Sequence, residues 1–283
     1  MATMTPTTGA VFIPEVWAKD IQKARRNKLV MLNLVDHQYQ SDLKYGDTVH
    51  IPSIAALTAD NITPGNALVP VAPTETEQTL VVDQYKGKAI EIQDMLKKQS
   101  KYDLRRPYTD EIGFALAKAI DASLLAQYAN VLTANKMTAV AAVTYDTIVE
   151  ASTLLDAADV PQEDRALVVN AHILGDLRKD PQFTEYDSTG REGVKETKLG
   201  IRGTIFGVPV YLTNAVASNS DSGTNNYQAL LFHKSAFAAV VQIQPETESD
   251  RDILKKSDLI SGSTLYGVKT VRPDHAVVIR RNV

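Results

Sequence analysis

Residues 46–91 read GDTVHIPSIAALTADNITPGNALVPVAPTETEQTLVVDQYKGKAIE, two alternating stretches joined by a loop rich in Pro, Thr and Asn. A period of two between apolar and polar side chains predicts β-strands. The apolar side is formed by Val49, Ile51, Leu80 and Val82, and the other side by Thr48, His50, Thr79 and Val81. The loop is far longer than the roughly two to five residues that usually close a hairpin. A long two-stranded ribbon is marginal alone in water, and no nearby apolar segment obviously covers it, so we expect it to lie on another subunit.

The composition indicates a folded chain and excludes several classes of protein. The 283 residues carry 30 Lys and Arg against 34 Asp and Glu, a net charge of -4, and contain no cysteine. This charge argues against a dedicated nucleic-acid-binding protein, and the lack of cysteine excludes disulfides and thiolate metal sites. The longest apolar run, residues 236–241, is much shorter than the ~18 residues of a membrane span, so we expect no membrane partner.

A long helix follows the ribbon. The sequence predicts that it begins at Pro107 with Thr109 as its cap, and that it runs for about 20 residues, or about 30 Å. Its apolar residues recur every fourth position: Ile112, Leu116, Ile120, Leu124 and Tyr128. This pattern is typical of a well-buried central helix.

Two basic segments flank the ribbon. Residues 19–28 carry five basic residues and one acidic residue, and residues 86–106 carry seven basic residues and three acidic ones, so each segment has a net charge of +4. Each is either a solvated surface or a contact with an acidic neighbour or with phosphates. The candidate contact residues are Lys23, Arg25, Arg26, Lys86, Lys88, Arg105 and Arg106.

An acidic segment, PETESD at residues 245–250, is predicted to be a turn between two late strands. If it is a strand instead, carboxylates two residues apart share one face and repel each other, with Arg251, Lys255 and Lys256 close enough to offset them. We interpret Glu246, Glu248 and Asp250 as a charged intersubunit surface, because this pattern is less typical of a catalytic pair.

The remaining sequence alternates between helix and strand. A helix begins at Thr144 or Asp146, a short buried strand lies at 165–170, and Asn170 caps a second helix. Residues 187–198 and 219–226 are predicted surface loops. The late strands are expected to return beside the long helix.

No local motif for catalysis or metal binding is found. None of the five histidines lies within four residues of another, and there is no G-x-S-x-G elbow. Gly200, Gly203 and Gly207 are interpreted as turn glycines, because no Lys-Ser/Thr pair follows them. We therefore predict no catalytic residue, no metal and no cofactor.

Four phrases, in this order along the chain, resemble the major capsid proteins of tailed bacteriophages, the Hong Kong 97-type fold. They are TTGAVFIPEVWAKDI at 7–21, TDEIGFALAKAIDASLLA at 109–126, GTIFGVPVYLTN at 203–214 and VRPDHAVVIRR at 271–281. The resemblance covers essentially the whole chain. It implies an α+β fold with four parts: an N-terminal arm at 1–37, an extended β-hairpin loop at 38–92, a peripheral domain with a spine helix at 93–135 and 238–270, and an α/β axial domain at 136–237 and 271–283.

The resemblance also implies a non-enzymatic head protein that assembles into hexamers and pentamers of an icosahedral shell around phage double-stranded DNA. Its location would be the virion capsid, after assembly in the host cytoplasm. Its partners would be other copies of itself, separate scaffolding, portal and decoration proteins, and packaged DNA through non-specific contacts. An encapsulin-type compartment shell protein and a soluble α/β enzyme remain as alternatives.

Two features of this chain differ from what members of that family show. Some members begin with a scaffolding domain, whereas arm-like sequence starts close to Met1 here, so we expect any scaffolding to be a separate protein. The prototype cross-links its extended loop through a lysine, whereas this chain has no lysine between Lys44 and Lys86. We therefore expect the ribbon to be held without a covalent bond.

Overall fold

Four α-helices and ten β-strands make up the described part of the chain. The computed structural model describes residues 29–54, 75–100, 105–179, 201–215 and 226–282, and the single residues 59, 61 and 72. The helices are α1 (Asp94–Gln99), α2 (Arg105–Ala126), α3 (Tyr145–Ala157) and α4 (Ala171–Lys179). The strands are β1 (Thr48–Ser53), β2 (Thr76–Val81), β3 (Gln84–Gln93), β4 (Arg165–Val169), β5 (Ile201–Ile205), β6 (Val208–Leu212), β7 (Asn226–His233), β8 (Phe237–Asp252), β9 (Ser257–Thr270) and β10 (Ala276–Asn282).

The predicted ribbon is an antiparallel pair of β1 and β2, with Thr48 opposite Val81. The alternation read from the sequence is confirmed, because Ile51 and Leu80 are buried while His50 is exposed. Since apolar residues at alternate positions face one way, the ribbon has one apolar side and one polar side.

The predicted second arm of the ribbon proves to be two strands that belong to different sheets. The pairing with β1 ends at Val81, and the backbone N–H of Val82 then donates to the carbonyl of Asp47 at 2.8 Å. After this point the chain enters β3, which pairs antiparallel with β9. Alternation alone did not reveal the change of partner, because both strands keep the same period.

A three-stranded antiparallel sheet has the order β3-β9-β8. The prediction of an acidic turn at 245–250 is wrong: these residues lie within β8, and the turn is at 253–256. The strand continues because β9 offers a ladder partner up to Asp252, which lies opposite Ser257.

Helix α2 packs along this sheet through the predicted apolar positions. Ile112, Leu116, Ile120 and Leu124 are all at most 3% exposed, which confirms the stripe. The 22 residues correspond to about 33 Å of helix. Thr109 does not cap the helix, because the described helix already includes Arg105 and the Thr109 hydroxyl donates to the Arg105 carbonyl within the first turns.

A five-stranded sheet with the order β10-β7-β4-β6-β5 forms the α/β part. Only β4 and β6 run parallel, so the sheet is mixed. Strand β4 is buried along its whole length, as predicted. The two predicted caps are confirmed, since Thr144 forms a capping box with Thr147 and the Asn170 side chain accepts from the His172 N–H at 3.0 Å.

The turn between β5 and β6 confirms one of the three predicted turn glycines. Phe206 and Gly207 both have positive φ, 52° and 80°. Two consecutive residues with positive φ are typical of the tight hairpin turn that matches strand twist, and glycine adopts this conformation without steric cost.

Asp121 on α2 fixes the segment that leads into the ribbon. Its carboxylate is 1% exposed and accepts hydrogen bonds from the backbone N–H groups of Val30 at 3.0 Å, Met31 at 3.4 Å and Leu32 at 3.4 Å. Burial raises the pKa of Asp121, and these three N–H groups partly oppose that effect. The carboxylate thereby satisfies donors at the start of the 3-10 helix Met31–Leu34, which have no partner within that helix.

Several predicted segments lie outside the described residues. They are the N-terminal arm up to residue 28, most of the ribbon loop between 54 and 75, and the surface loops at 187–198 and 219–225. Among the described residues, no helix is both long enough and apolar enough to cross a membrane.

Candidate assembly surfaces

The root of the ribbon packs on its own chain. We call the six buried residues there the root cluster: Leu43, Ile51, Leu80, Val82, Ala238 and Val240. These residues bring together the ribbon, the segment before it and the start of β8. The expectation that nothing in the chain covers the ribbon is therefore wrong for its root, whereas Ser53 and Ile54 further along β1 are exposed, Ile54 at 79%.

Two glutamine side chains fasten the root to β8. The Gln40 amide donates to the Val241 carbonyl at 2.7 Å and accepts from the Val241 N–H at 2.9 Å. The Gln242 amide donates to the Gly46 carbonyl at 3.0 Å. These contacts satisfy backbone groups on both sides, so the start of the ribbon is held by directional bonds as well as by apolar packing.

Strand β9 passes very close to the ribbon at Gly267. A Cβ atom at this position would lie 2.3 Å from the carbonyl oxygen of Val81 and 3.0 Å from its carbonyl carbon. No L-residue with a side chain fits there without movement of the backbone. The absence of a side chain at Gly267 therefore sets the point at which the ribbon leaves the sheet.

The three-stranded sheet has two distinct faces. Helix α2 covers what we call the helix face, where Ile112 approaches Gly262 of β9 and Tyr266 donates to the carbonyl of Ala119 at 3.2 Å. The root cluster lies on the opposite side, which we call the outer face, next to Gly267. Because side chains alternate along each strand, each residue of β3 and β8 that has a partner in β9 can be assigned to one face.

The predicted basic residues of the second segment belong to the helix-face side. Lys86 and Lys88 are exposed on β3, opposite Thr264 and Gly262. At the start of α2, which packs on the helix face, Arg105 and Arg106 are both exposed. The Arg105 guanidinium donates to the Ser249 hydroxyl of β8, so this side chain has a contact within its own subunit.

The basic residues predicted in the first segment, Lys23, Arg25 and Arg26, lie outside the described residues. Their role as contact residues stays a prediction.

The predicted acidic residues form an exposed row on the outer face. Glu246, Glu248 and Asp250 lie opposite alternate residues of β9 from Ser263 to Leu259, and all three are exposed. Among the described residues none of these three carboxylates forms an ion pair. Among the described strands β8 has β9 as its partner, so the row lies at an edge of this sheet.

Arg251 and Lys255 were expected to offset this row, but among the described residues neither pairs with Glu246, Glu248 or Asp250. Arg251 lies 2.6 Å from Asp94 of α1 and 3.5 Å from Asp258. Lys255 lies 3.5 Å from Glu91, and 4.0 Å from Asp252 at the end of the row. The reason is geometric: Arg251 alternates with the row and projects from the helix face.

The same group of charges fastens α1 to the sheet. The Lys97 ammonium lies 2.6 Å from the Asp258 carboxylate. This hydrogen bond, together with the positive charges of Lys97, Arg251 and Arg105, lowers the pKa of Asp258. These side-chain contacts connect α1 to β8 and β9.

An apolar tip lies beside the acidic row. In the turn between β8 and β9, Ile253 is 69% and Leu254 is 96% exposed. Large apolar side chains at a protruding turn, next to unpaired charges, are typical of a surface that another molecule covers.

The described residues contain no group of three or more histidine and carboxylate side chains arranged to hold a metal ion. The structure does bring together His233 and His275, which are far apart in sequence, through Ser235. Spacing along the chain gave no sign of this contact.

Comparison with known proteins identifies the family. The model of a family described as phage capsid protein matches residues 74–279. The chain belongs to this phage capsid protein family. A solved structure from Mycobacterium phage Che8 is 30% identical, with a TM-score of 0.79, and the match covers 95% of this chain and 97% of that one.

Two further structures share the fold at lower identity. The capsid structure of the cyanophage P-SCSP1u is 19% identical, with a TM-score of 0.72, and the match covers 97% of this chain and 94% of that one. The mature capsid of bacteriophage PhiM1 is 15% identical, with a TM-score of 0.70, and the match covers 95% of this chain and 92% of that one. A comparison with curated protein sequences finds no match.

These matches confirm the main predictions from sequence. The chain is a major capsid protein with a mixed helix and sheet fold, a structural protein of the virion capsid. Neither an encapsulin-type shell nor a soluble enzyme is favoured. The matched structures of assembled capsids are consistent with self-assembly of this capsid protein into a shell.

Sequence reasoning missed two positions that shape the capsid protein. Gly267 was not singled out, although a glycine inside a strand often marks a close approach of another backbone. Asp121 was also missed, although an acidic residue on the buried side of a helix indicates a carboxylate that needs hydrogen-bond partners.

Proposed function

We propose that this major capsid protein assembles into hexamers and pentamers that close into an icosahedral shell around phage double-stranded DNA. The observation that carries the proposal is the placement of its charges: an acidic row on the outer face of the three-stranded sheet, and exposed basic residues on the helix-face side. Such charges find opposite partners most readily on a neighbouring subunit.

The ribbon supplies the first kind of contact in this proposal. Its root is fixed by the root cluster and the two glutamines, while Ser53 and Ile54 are exposed. A two-stranded ribbon gains stability when a further surface covers it. We infer that its outer part lies on a neighbouring subunit and is held there by noncovalent contacts.

The charged surfaces supply the second kind of contact. We propose that Glu246, Glu248 and Asp250 meet basic residues of a neighbour, with Lys86, Lys88 and Arg106 as the described candidates. Exposed ion pairs contribute about 0–1 kcal/mol each, so no single pair holds the shell together. Many such contacts add up in a closed assembly, and weak individual contacts allow misplaced subunits to dissociate.

The proposal includes the four-part domain division at 1–37, 38–92, 93–135 with 238–270, and 136–237 with 271–283. The packing of α2 on β8 and β9, and the separate five-stranded sheet, support a division into peripheral and axial domains. We further infer separate scaffolding, portal and decoration proteins. The net charge of -4 suits a container that holds DNA through non-specific contacts without binding it tightly.

A charge-swap experiment tests the role of the charged surfaces. In one variant Glu248 and Asp250 are replaced by Lys, and in another Lys86 and Lys88 are replaced by Glu. We expect each variant to lose most of its particles, because like charges then face each other across the contact. A third variant with all four changes is expected to recover particles. Particle yield is measured by sedimentation and electron microscopy, and folding by chemical denaturation.

The matched control replaces Glu150 and Glu163 by Lys, two exposed carboxylates outside the three-stranded sheet. It makes the same change in net charge as the Glu248 and Asp250 variant and is expected to leave particle yield close to that of the wild type. Normal particles from both single-surface variants would refute the charged contact. Failure of the four-fold variant to recover particles would show that these two surfaces do not pair with each other.

A further inference from the structure

Two connections between the sheets run side by side. Residues 234–236 lead from β7 of the five-stranded sheet to β8 of the three-stranded sheet, and residues 271–275 lead back from β9 to β10. Backbone hydrogen bonds tie them together: the Val271 N–H donates to the Ala236 carbonyl at 2.9 Å, and the His233 N–H donates to the His275 carbonyl at 3.0 Å. A change in the relative position of the two sheets would therefore strain this junction.

Three side chains at this point form what we call the junction network. The Ser235 hydroxyl oxygen lies 2.7 Å from Nδ1 of His233 and 2.8 Å from Nδ1 of His275. The Ser235 backbone N–H also donates to Nδ1 of His233 at 3.2 Å, which caps the short 3-10 helix Lys234–Ala236. The network therefore joins one connection to the other through a single hydroxyl group.

The hydrogen bonds assign the positions of the protons. Because the Ser235 N–H donates to Nδ1 of His233, that nitrogen is an acceptor and the ring carries its proton on Nε2. The Ser235 hydroxyl donates its one proton to the same nitrogen, so it accepts from an Nδ1–H of His275. A proton added to Nδ1 of His233 would face the Ser235 backbone N–H, so this capping bond would be lost, whereas the Ser235 hydroxyl can turn and accept from the new Nδ1–H.

The surroundings disfavour a positive charge in this network. Burial is the main cause that lowers the pKa of both His233 and His275. Neighbouring cations act in the same direction, and two carboxylates oppose them. The charged groups around the two rings are Asp164, Arg165, Lys234, Arg272 and Asp274, with Asp36 on the wall of the adjacent cleft.

Protons reach the network from solvent. His233, Ser235 and His275 all line a cleft of about 920 Å³ between the junction and the ribbon. The histidine rings are 5.9 Å apart and nearly perpendicular, so they do not shield each other by stacking. The network is thus partly buried yet open to exchange with water.

We propose that the junction network is a pH-sensitive clasp between the two sheets, closed while His233 is neutral and opened when it takes up a proton. The sign of the effect follows from linkage. A histidine whose pKa is lowered in the folded state contributes its full stabilisation well above its ordinary pKa, and this contribution is lost as the pH falls below that value. Acidification therefore weakens the side-chain part of the junction and makes its opening more frequent, whereas the backbone hydrogen bonds do not titrate.

Hydrogen–deuterium exchange of the full-length capsid protein tests this proposal. Peptides that cover 233–240 and 268–276 are compared at about pH 7.5 and about pH 5.5, with rates corrected for the intrinsic effect of pH. When the junction opens, His233 is exposed to water and its pKa returns to the ordinary value of about 6.5. Opening is therefore expected to be up to about tenfold more frequent at the lower pH than at the higher pH. Peptides from the buried strand β4 are expected to keep their corrected rates.

Two variants separate the clasp from a general effect of acid. A double variant, His233→Asn with His275→Asn, keeps an acceptor for the Ser235 N–H but has no titrating ring in the network, so its corrected exchange is expected to be the same at both pH values. Ser235→Ala removes the hydroxyl link and leaves both rings, so it is expected to exchange faster than the wild type at the higher pH. His172→Asn is the control, because His172 stacks on Tyr227 away from the junction, and it should retain the wild-type pH response.

The outcomes decide between clasp and no clasp. A pH response in the wild type that disappears in the double variant, together with faster exchange of Ser235→Ala at the higher pH, supports the proposal. Equal corrected rates at the two pH values in the wild type would overturn it, and so would a full response that persists in the double variant. If the double variant does not fold, Ser235→Ala provides the decision, since exchange equal to that of the wild type at the higher pH would overturn the clasp. Because exchange at the junction is a local measurement, the result does not depend on how subunits contact each other.

Discussion

Replacement of Gly267 by alanine is expected to displace the ribbon while both larger sheets remain folded. The position lies inside β9, where the ribbon crosses the sheet on its way from β2 to β3. A methyl group here would lie 2.3 Å from the carbonyl oxygen of Val81, whereas ordinary contact begins near 3.4 Å. The backbone of the ribbon must therefore retreat by about 3.4 - 2.3 = 1.1 Å.

The size of the effect follows from what such a movement disturbs. Overpacking of a well-packed site typically costs about 1–3 kcal/mol. Here the movement also lengthens the hydrogen bond from the Val82 N–H to the Asp47 carbonyl and loosens the root cluster next to it. We expect the free energy of unfolding to fall within that range, and particle yield to fall more steeply, because the direction of the ribbon is what a neighbouring subunit meets.

The measurements are urea denaturation of the unassembled protein and particle yield by sedimentation and electron microscopy. Gly113→Ala is the matched control, because it adds the same methyl group on α2, where nothing lies within 4 Å. Alanine is also favoured over glycine in a helix, so the control is expected to be neutral or slightly stabilising. If Gly267→Ala unfolds like the wild type and forms normal particles, the reasoning about this crossing is wrong.

Two further predictions concern carboxylates. Asp121→Ala leaves the N–H groups at the start of the 3-10 helix without their acceptor, so we expect urea denaturation to show a loss of about 1–3 kcal/mol. Lys118→Ala, at an exposed position of the same helix, is the comparison, and equal midpoints for the two would exclude the capping role. The lowered pKa of Asp258 means that its ion pair with Lys97 is fully formed above the ordinary value of 3.8 and is lost as the pH falls through the folded-state pKa. Hydrogen–deuterium exchange in α1 is therefore expected to rise at pH values below about 3.8. In Asp258→Asn the exchange of α1 is expected to be high already at neutral pH. If α1 exchanges in that variant as it does in the wild type, the ion pair does not hold the helix.

Much of the fold was predictable because its signals are local and periodic. The apolar stripe of α2, the buried strand β4 and the caps at Thr144 and Asn170 each depend on residues a few positions apart. The predictions that failed concern partners instead. The β2–β3 stretch kept one period while it changed sheets, and the acidic residues after Pro245 continued β8 because β9 was there to pair with them.

The candidate site was predictable only in part for the same reason. The sequence marked Glu246, Glu248 and Asp250 as an unusual row, but the assignment of Arg251 to the opposite face required the strand register. Likewise, Gly267 and the pair of histidines are important because of contacts with residues far away in the chain. Chemistry that arises from one segment is visible in the sequence, whereas chemistry that arises between segments becomes visible only after folding.

The two faces of the three-stranded sheet have a consequence for symmetry. If the carboxylates of the outer face meet the lysines of the helix-face side, the two surfaces that touch are different parts of the subunit. When such a contact repeats head to tail, one acidic and one basic surface remain free at the two ends of the row of subunits until a ring closes. The number of subunits in the ring is then set by the angle between the two surfaces, so a small change in that angle is enough to allow rings of different size from one sequence.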